Sequence, residues 1–396
     1  MHVVVWQFDK AEEQGAMHFP EGRTAGSSQS AGQSAAKKPS NRYENIDALR
    51  AIAALAVVVQ HFFGDVLREA AAQQGVIFHV ASSSTSYFDA GRFGVVLFFL
   101  ISGFVVPFSI KGSNPLQRFA ISRFFRLFPA LWLALFCLVL IAAIHGQPPS
   151  AFNLIANMSM LPSVFHQPWM SGAYWTLTIE LVFYGLSAGL FAVGALYRPA
   201  VIAAFAILLA SGTAIPIFLR SVEISLPVQY ISLHVSFLYL GLLLRMMLID
   251  KLQGARIGTA CVLVTQTIVL LTIGDFSLSR QDGFFLVGTF PVLVSYLAAL
   301  CVFFFCVKTG KPKQPVLSWL GALSYSIYLF HGIAALVVFE IFPLTGTWSD
   351  IPVGIASLLL TLLISVLVYE FLEKPMISLG HRLVKREDNR GSQMTT

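Results

Sequence analysis

Residues 46–63 read IDALRAIAALAVVVQHFF, an almost unbroken apolar run that carries one aspartate, one arginine and one histidine. At about 1.5 Å per residue a helix of this length crosses most of a hydrocarbon layer roughly 30 Å thick. Ionisable groups at that depth cost about 2.5–3.5 kcal/mol each on insertion scales, so a purely structural span has no reason to keep Arg50 and His61. Eleven steps of about 100° leave the two some 20° apart around the helix and about 16 Å apart along it. They share one face. Two readings stand for the pair: Arg50 snorkels to the inner headgroups while His61 sits in the outer interface, or both face an internal functional space. Asp47, one turn before Arg50, is placed to pair with it in either reading.

The pattern recurs along the chain. Of 396 residues 56% are hydrophobic and only 12% charged, with a mean hydropathy of +0.73, far from the range of water-soluble domains. Ten candidate spans follow from the apolar runs, at about 46–66, 93–110, 127–145, 174–196, 199–219, 227–248, 256–274, 284–307, 317–340 and 353–373. With the N-terminus inside, 21 lysines and arginines fall on the inner segments and four (Arg68, Arg92, Arg220 and Arg280) on the outer ones, Arg50 lying within the first span. This bias predicts that both termini are cytoplasmic. The expected fold is therefore all-α, a polytopic membrane bundle of about ten transmembrane helices. Residues 1–42, rich in Ser, Ala, Gly and Gln, are expected to form a disordered cytoplasmic tail with no secretory signal. The membrane domain is expected over 43–378 and a cytoplasmic tail over 379–396, with no internal repeat.

The net charge of +6 does not point to nucleic acid, because the basic residues are spread between apolar runs and membrane orientation explains them. Cys137, Cys261, Cys301 and Cys306 lie in apolar runs without CxxC spacing or clustered histidines. They read as small core residues, so no disulfide framework and no metal site is expected.

Three further groups break the apolar pattern. Glu180, in GAYWTLTIELVFYG, lies about 10 Å below the outer surface by counting along its span, too deep for simple snorkelling. A structural hydrogen bond to a neighbouring helix is the alternative to a functional role. His331, in LSWLGALSYSIYLFHG, counts to about 9 Å below the same surface, close to the height of His61. His61, Glu180 and His331 are thus expected in one layer of the outer half of the membrane. At the inner end RFAISRFFRLFPALW offers Arg118, Arg123 and Arg126, with the last two on one helical face. These arginines read either as a flank held by anionic lipid or as a phosphate site, since guanidinium forks match phosphate oxygens with paired hydrogen bonds. Glu370, Glu373 and Lys374 end the last span on the same side and are expected to orient some of them. The longest outer loops, about 67–92 and 146–173, hold His79, His145, His166 and Trp169 and are placed to meet an external substrate.

In order along the chain, LRAIAALAVVVQH (49–61), FFLISGF (98–104), RFFRLFP (123–129), YWTLTIELVFY (174–184), LSYSIYLFH (323–331) and EFLEKP (370–375) resemble the acyltransferase family 3, bacterial membrane O-acyltransferases of surface carbohydrates. The resemblance runs from about Ile46 to Leu383. It implies a multi-pass protein of the bacterial cytoplasmic (inner) membrane that moves an acyl group, usually acetyl, from cytoplasmic acetyl-CoA or another acyl-CoA to a hydroxyl at or beyond the outer face. The acceptor implied is a surface glycan or glycolipid such as exopolysaccharide or O-antigen, with polysaccharide-assembly proteins as possible partners beside the lipid bilayer. The family's essential arginine and histidine match Arg50 and His61, its second arginine motif matches Arg123 and Arg126, and its later polar positions match Glu180 and His331. The extracytoplasmic hydrolase-like domain that often follows in this family has no counterpart in the sequence.

Those matches fit the depth estimates. Arg123 and Arg126 are expected to hold CoA phosphates and Arg50 a polar part of the donor deeper in. His61 is expected to act as general base on the acceptor hydroxyl, with Glu180 or His331 orienting it or stabilising the oxyanion. An acyl-histidine intermediate stays open, as does an acyl-serine one through Ser102, Ser324 or Ser326. A transporter or flippase of a lipid-linked glycan is the alternative class, for which an internal repeat or matching broken helices would be the signature.

Overall fold

The structure of the protein is a computed structural model that describes residues 41–66, 79, 86–215, 219, 230–279, 288–309 and 314–394. The expected tail over residues 1–40 and nearly all of the loop 67–85 lie outside the described residues. Among the described residues thirteen α-helices follow one another: α1 (Asn41–Val59), α2 (Ala90–Val105), α3 (Pro115–Ile144), α4 (Ala151–Met158), α5 (Trp175–Ala192), α6 (Pro199–Gly212), α7 (Ile231–Leu248), α8 (Ala255–Ser279), α9 (Thr289–Thr309), α10 (Pro315–Ala322), α11 (Ser324–Ile341), α12 (Asp350–Val368) and α13 (Lys374–Met394). Two π-helical segments interrupt them, Gln60–Val66 after α1 and Tyr369–Glu373 between α12 and α13. No strand occurs among the described residues, as the all-α reading expects.

Among the described residues nine helices are long and apolar enough to cross a membrane, one fewer than the ten spans read from the sequence. The difference falls at 199–219, where α6 is a helix of 14 residues, about 21 Å long and shorter than a hydrocarbon layer. Two other spans differ in shape. The run at 127–145 belongs to the 30-residue α3, about 45 Å long, so its arginine-bearing first turns extend past a layer of roughly 30 Å. The run at 317–340 is broken at Leu323 into α10 and α11. At the other end, the helical run Asp350–Lys385 continues through the segment read as a terminal tail, and the boundary expected at residue 42 falls inside α1.

The packing shows which solvent the chain is built for. Along α12, Ser357, Thr361 and Ser365 are buried while Ile355, Leu359, Leu363 and Leu367 are exposed. That polarity is the reverse of a water-soluble helix and suits a hydrocarbon surround. Thr361 and Ser365 donate to the carbonyls of Ser357 and Thr361 at 2.8 and 2.6 Å, so the buried hydroxyls are satisfied within the helix. Between helices, Gln266 donates to Ser236 Oγ at 2.8 Å, joining α8 to α7. Cys261 and Cys301 lie on exposed faces of α8 and α9, a correction to their reading as core residues. In lipid an outward thiol is as well solvated as an inward one.

At the centre α2 and α7 approach backbone to backbone. A Cβ on Gly103 would stand 1.7 Å from the Leu238 carbonyl oxygen, and one on Gly241 would stand 2.3 Å from that of Leu100. The two glycines are reciprocal, each admitting the other helix. Gly321 does the same for α10, where a Cβ would stand 1.9 Å from the Asp47 carbonyl oxygen of α1. The loop after α4 is tied by Asn157, which donates to Pro168 O at 3.1 Å and accepts from Met170 N at 3.1 Å, holding Trp169 half-packed against the core. At one end of the bundle His145, capping α3, reaches Glu340 of α11 with Nε2 to Oε1 at 3.1 Å.

Gly103→Val forces the two central backbones apart, and overpacking of this kind costs about 1–3 kcal/mol or more. Its melting temperature in detergent is expected to fall well below wild type, whereas Gly189→Ala, with nothing within 4 Å of the added Cβ, leaves it unchanged. His145 makes a second, pH-dependent prediction. Its bond to the Ile141 carbonyl, then the Glu340 charge, raise its pKa above the ordinary 6.5. A raised folded pKa means that the pairing is complete at low pH and is lost as pH rises through that value. Histidine ring titration by NMR is expected to show the His145 midpoint moving down in Glu340→Gln.

Candidate active site

One cavity of about 720 Å³, part of it open to the outside, lies among α1, α2, α3, α5 and α11. Its wall on α2 is Val95, Phe98, Phe99 and Ser102, the i, i+3, i+4, i+7 stripe of one helical face. Facing it, α5 contributes Thr176, Leu177, Glu180 and Tyr184, α11 contributes Ser324, Tyr325 and Tyr328, α3 contributes Arg123 and Arg126, and α1 contributes Arg50.

Each cation is held by its own local geometry. Arg50 Nη1 meets Asp47 Oδ1 at 2.9 Å, the pairing expected from their spacing, and its side chain keeps 23% of its surface exposed. Arg123 donates to Ser109 Oγ at 3.3 Å and lies 5.5 Å from the centre of the Phe119 ring and 5.6 Å from that of Tyr184. Its Nε is buried with no hydrogen-bond partner among the described residues. A buried guanidinium donor without an acceptor fits a ligand oxygen. Arg126 and Arg123 both act electrostatically on Arg50, so three like charges share one low-dielectric space.

Two carboxylates answer them. Glu180 accepts hydrogen bonds from Ser102 Oγ at 3.3 Å and from the Tyr184 hydroxyl. Glu373, 2% exposed, sits in the second π-helical segment, accepts from Ser326 Oγ and feels the Arg126 charge. Of the acidic residues expected to orient the arginines, Glu373 does face Arg126, while Glu370 pairs with Lys374 at 2.8 Å on the surface.

The histidines stand apart from this cavity. His61 is the second residue of the π-helical segment Gln60–Val66, and its ring stacks on that of His331 with centroids 5.2 Å apart and planes 29° apart. Such segments recur at functional sites because they turn a side chain off the α-helical register. His331 Nδ1 lies 2.7 Å from the Tyr328 carbonyl oxygen. A carbonyl only accepts, so the proton is on Nδ1. Phe62, next to His61, lies over Gly354 of α12, where a Cβ would stand 2.0 Å from the ring.

Sequence counting put His61, Glu180 and His331 in one layer. The structure brings His61 and His331 together and sets Glu180 elsewhere. The register of α5 against α11 shows why: Tyr174 bonds Leu329 O at 2.8 Å, Thr176 meets the Tyr328 hydroxyl at 2.6 Å, and Glu180 acts on Tyr325. The helices therefore run antiparallel, and from the Thr176–Tyr328 level Glu180 lies one turn one way and His331 nearly one turn the other, about 10 Å apart along the axis. The count failed because it took residues 174 and 317 to lie on opposite surfaces roughly 30 Å apart, whereas the register sets Tyr174 beside Leu329, only 12 residues and at most about 18 Å beyond 317. Sequence reasoning also passed over Phe98, Tyr184 and Tyr328. Tyr184 at Glu180+4 and Tyr328 at His331−3 share the faces of those groups, a spacing signal present in the sequence. Of the outer-loop residues, His79 is exposed and the segment around it lies outside the described residues.

A family model described as an acyltransferase domain matches residues 43–370. The chain is 26% identical over 319 residues to the exopolysaccharide production protein ExoZ of Rhizobium meliloti (strain 1021), covering 77% of this chain and 95% of that protein. It is 34% identical over 112 residues to nodulation protein 10 of Rhizobium leguminosarum bv. viciae, covering 23% of this chain and 30% of that protein. No solved structure matches the chain.

Ser326→Ala leaves the buried Glu373 carboxylate without its hydroxyl donor, a change that costs about 1–3 kcal/mol. Chemical unfolding in detergent is expected to show that loss, while Thr267→Ala, an exposed hydroxyl bonded within its own helix at 2.9 Å, stays within about 0.5 kcal/mol of wild type.

Proposed function

The chain belongs to the acyltransferase family 3, and from that premise we propose that it moves an acyl group, acetyl in the simplest case, from cytoplasmic acyl-CoA to a hydroxyl of an exopolysaccharide or related surface glycan. The observation that carries this reading is the pairing of one cavity lined by three guanidinium groups with a histidine pair one helical turn past its aromatic end. An acyl-CoA is an anionic head on a long neutral arm that ends in a thioester. Arg123, with its unpartnered Nε, and Arg126 suit the phosphates, and Arg50 suits a polar group further along the arm. The relative named for exopolysaccharide production supports a glycan as acceptor, and the excess of basic residues on one set of connections supports the arginine end facing the cytoplasm.

In this mechanism His61 takes the proton of the acceptor hydroxyl as the oxygen attacks the thioester carbonyl carbon. The tetrahedral intermediate collapses with cleavage of the carbon–sulfur bond, and the imidazolium returns its proton to the departing thiolate. His331, fixed by its bond to the Tyr328 carbonyl, orients the His61 ring by stacking. Glu180 acts from within the cavity, holding the hydroxyls of Ser102 and Tyr184 toward the donor's arm. Ser102 is thereby engaged with a carboxylate, and Ser326 with another, which favours direct transfer over an acyl-serine route.

Removing a general base lowers a rate by about 10²–10⁴-fold. In a strain whose surface glycan loses its acyl groups when this gene is deleted, the wild-type gene is expected to restore them and His61→Ala, present in the membrane at equal amount, to leave them at least a hundredfold lower by mass spectrometry. Full restoration by His61→Ala would remove the histidine from the mechanism. Acyl content that does not change on deletion would overturn the reading as a whole.

A further inference from the structure

The cavity is graded along its length. Arg123, Arg126 and Ser324 mark one end, Glu180 and Ser102 the middle, and the far part is apolar, lined by Val95 and by two aromatic rings, Phe98 and Tyr328. Those rings differ in freedom. The Tyr328 hydroxyl is bonded both to Thr176 Oγ1 and to the Ala173 carbonyl, which pins the ring. Phe98 meets it edge-on with centroids 6.2 Å apart, is only partly buried, and has no polar atom to anchor it. Past this pair comes His331, its ring 6.0 Å from that of Tyr328, and neither His331 nor His61 lines the cavity.

We propose that the ring of Phe98 sets the length of acyl group that the protein accepts. The inference rests on the donor reading above and adds a selecting residue to it. A donor fixed by its anionic groups at the arginine end brings its acyl end to a constant height, because the length of the arm is constant. Where that end lies between Tyr328 and Phe98, one wall is pinned, so each added methylene must displace the Phe98 ring or be expelled. Protein interiors resist such overpacking, and short acyl groups are therefore favoured. Replacing the ring by a methyl group widens the apolar part of the cavity and gives longer chains a surface to bury.

The test uses the full chain in lipid nanodiscs and measures equilibrium binding of CoA, acetyl-, butyryl-, hexanoyl- and octanoyl-CoA. Wild type is expected to bind octanoyl-CoA at least tenfold more weakly than acetyl-CoA. In Phe98→Ala the ratio of the two dissociation constants is expected to fall at least tenfold, with Phe98→Leu between the two, so that the comparison stands even where the alanine variant folds poorly. An octanoyl-to-acetyl ratio that stays at the wild-type value in both variants, or a wild type indifferent to chain length, overturns the role of Phe98. Failure of wild type to bind CoA or acetyl-CoA at all, or binding unaffected by Arg123→Ala, overturns the donor reading itself, so the two failures are told apart.

Discussion

Three guanidinium groups enclosed by an apolar bundle are the constraint around which the other polar residues are arranged. In a hydrocarbon surround a buried charge is poorly solvated, and carboxylates, hydroxyls or a ligand answer what solvent does not. Asp47 answers Arg50 within one turn of the same helix. Glu373 faces Arg126 from a distant part of the chain, and Glu180 shares the cavity with all three. The hydroxyls of Ser102, Tyr184 and Ser326 occupy carboxylate lone pairs, so each anion is positioned rather than left to collapse onto the nearest cation. Arg123 is the member left with a buried Nε unmatched. An unmet donor in such a place is the expected state of a group that waits for an anion.

The backbone carries the cost of placing these groups. His61 and Glu373 both sit in π-helical segments, where the chain departs from the α-helical hydrogen-bond pattern that hydrocarbon otherwise enforces. Close glycine contacts adjoin both ends of the first span, at Gly321 against Asp47 and at Gly354 against the Phe62 ring. The residue that orients Arg50 and the residue beside His61 are therefore gripped by neighbouring helices, and the span holding both polar groups is fixed at two levels.

How much of this the sequence discloses depends on what kind of contact carries it. Apolar run length reveals the membrane class and, among the described residues, nine helices long and apolar enough to cross a bilayer, because a bilayer sets one required length. Asp47 with Arg50 is a local pair and is visible from spacing alone. Depth counting sets His61 and His331 at one height, without predicting that their rings stack, and the same count misplaces Glu180. Depth counts add residues along separate helices, and a break such as that at Leu323 or a 30-residue helix such as α3 shifts the origin of the count without altering composition. The 14-residue α6 likewise differs from a span in length alone. Ser326 with Glu373 and Phe98 with Tyr328 join segments 47 or more residues apart. Nothing in a single sequence marks such pairs, since each partner alone is an ordinary serine or aromatic on an apolar helix.

The antiparallel register of α5 and α11 has a chemical consequence. A group that binds phosphates needs a standing positive potential, whereas a general base near neutrality is weakened by one, because nearby cations favour its unprotonated form at the expense of its affinity for a proton. A single layer holding His61 beside Arg123 and Arg126 would set those demands against each other. The register places Glu180 among the arginines and lets His331 pass to the far side of Tyr328, so a tyrosine ring and about 10 Å of helix separate the carboxylate's level from the imidazoles'. His331, with its Nδ1 proton committed to the Tyr328 carbonyl at 2.7 Å, then holds the His61 ring by stacking on the far side of that tyrosine from the arginine end of the bundle.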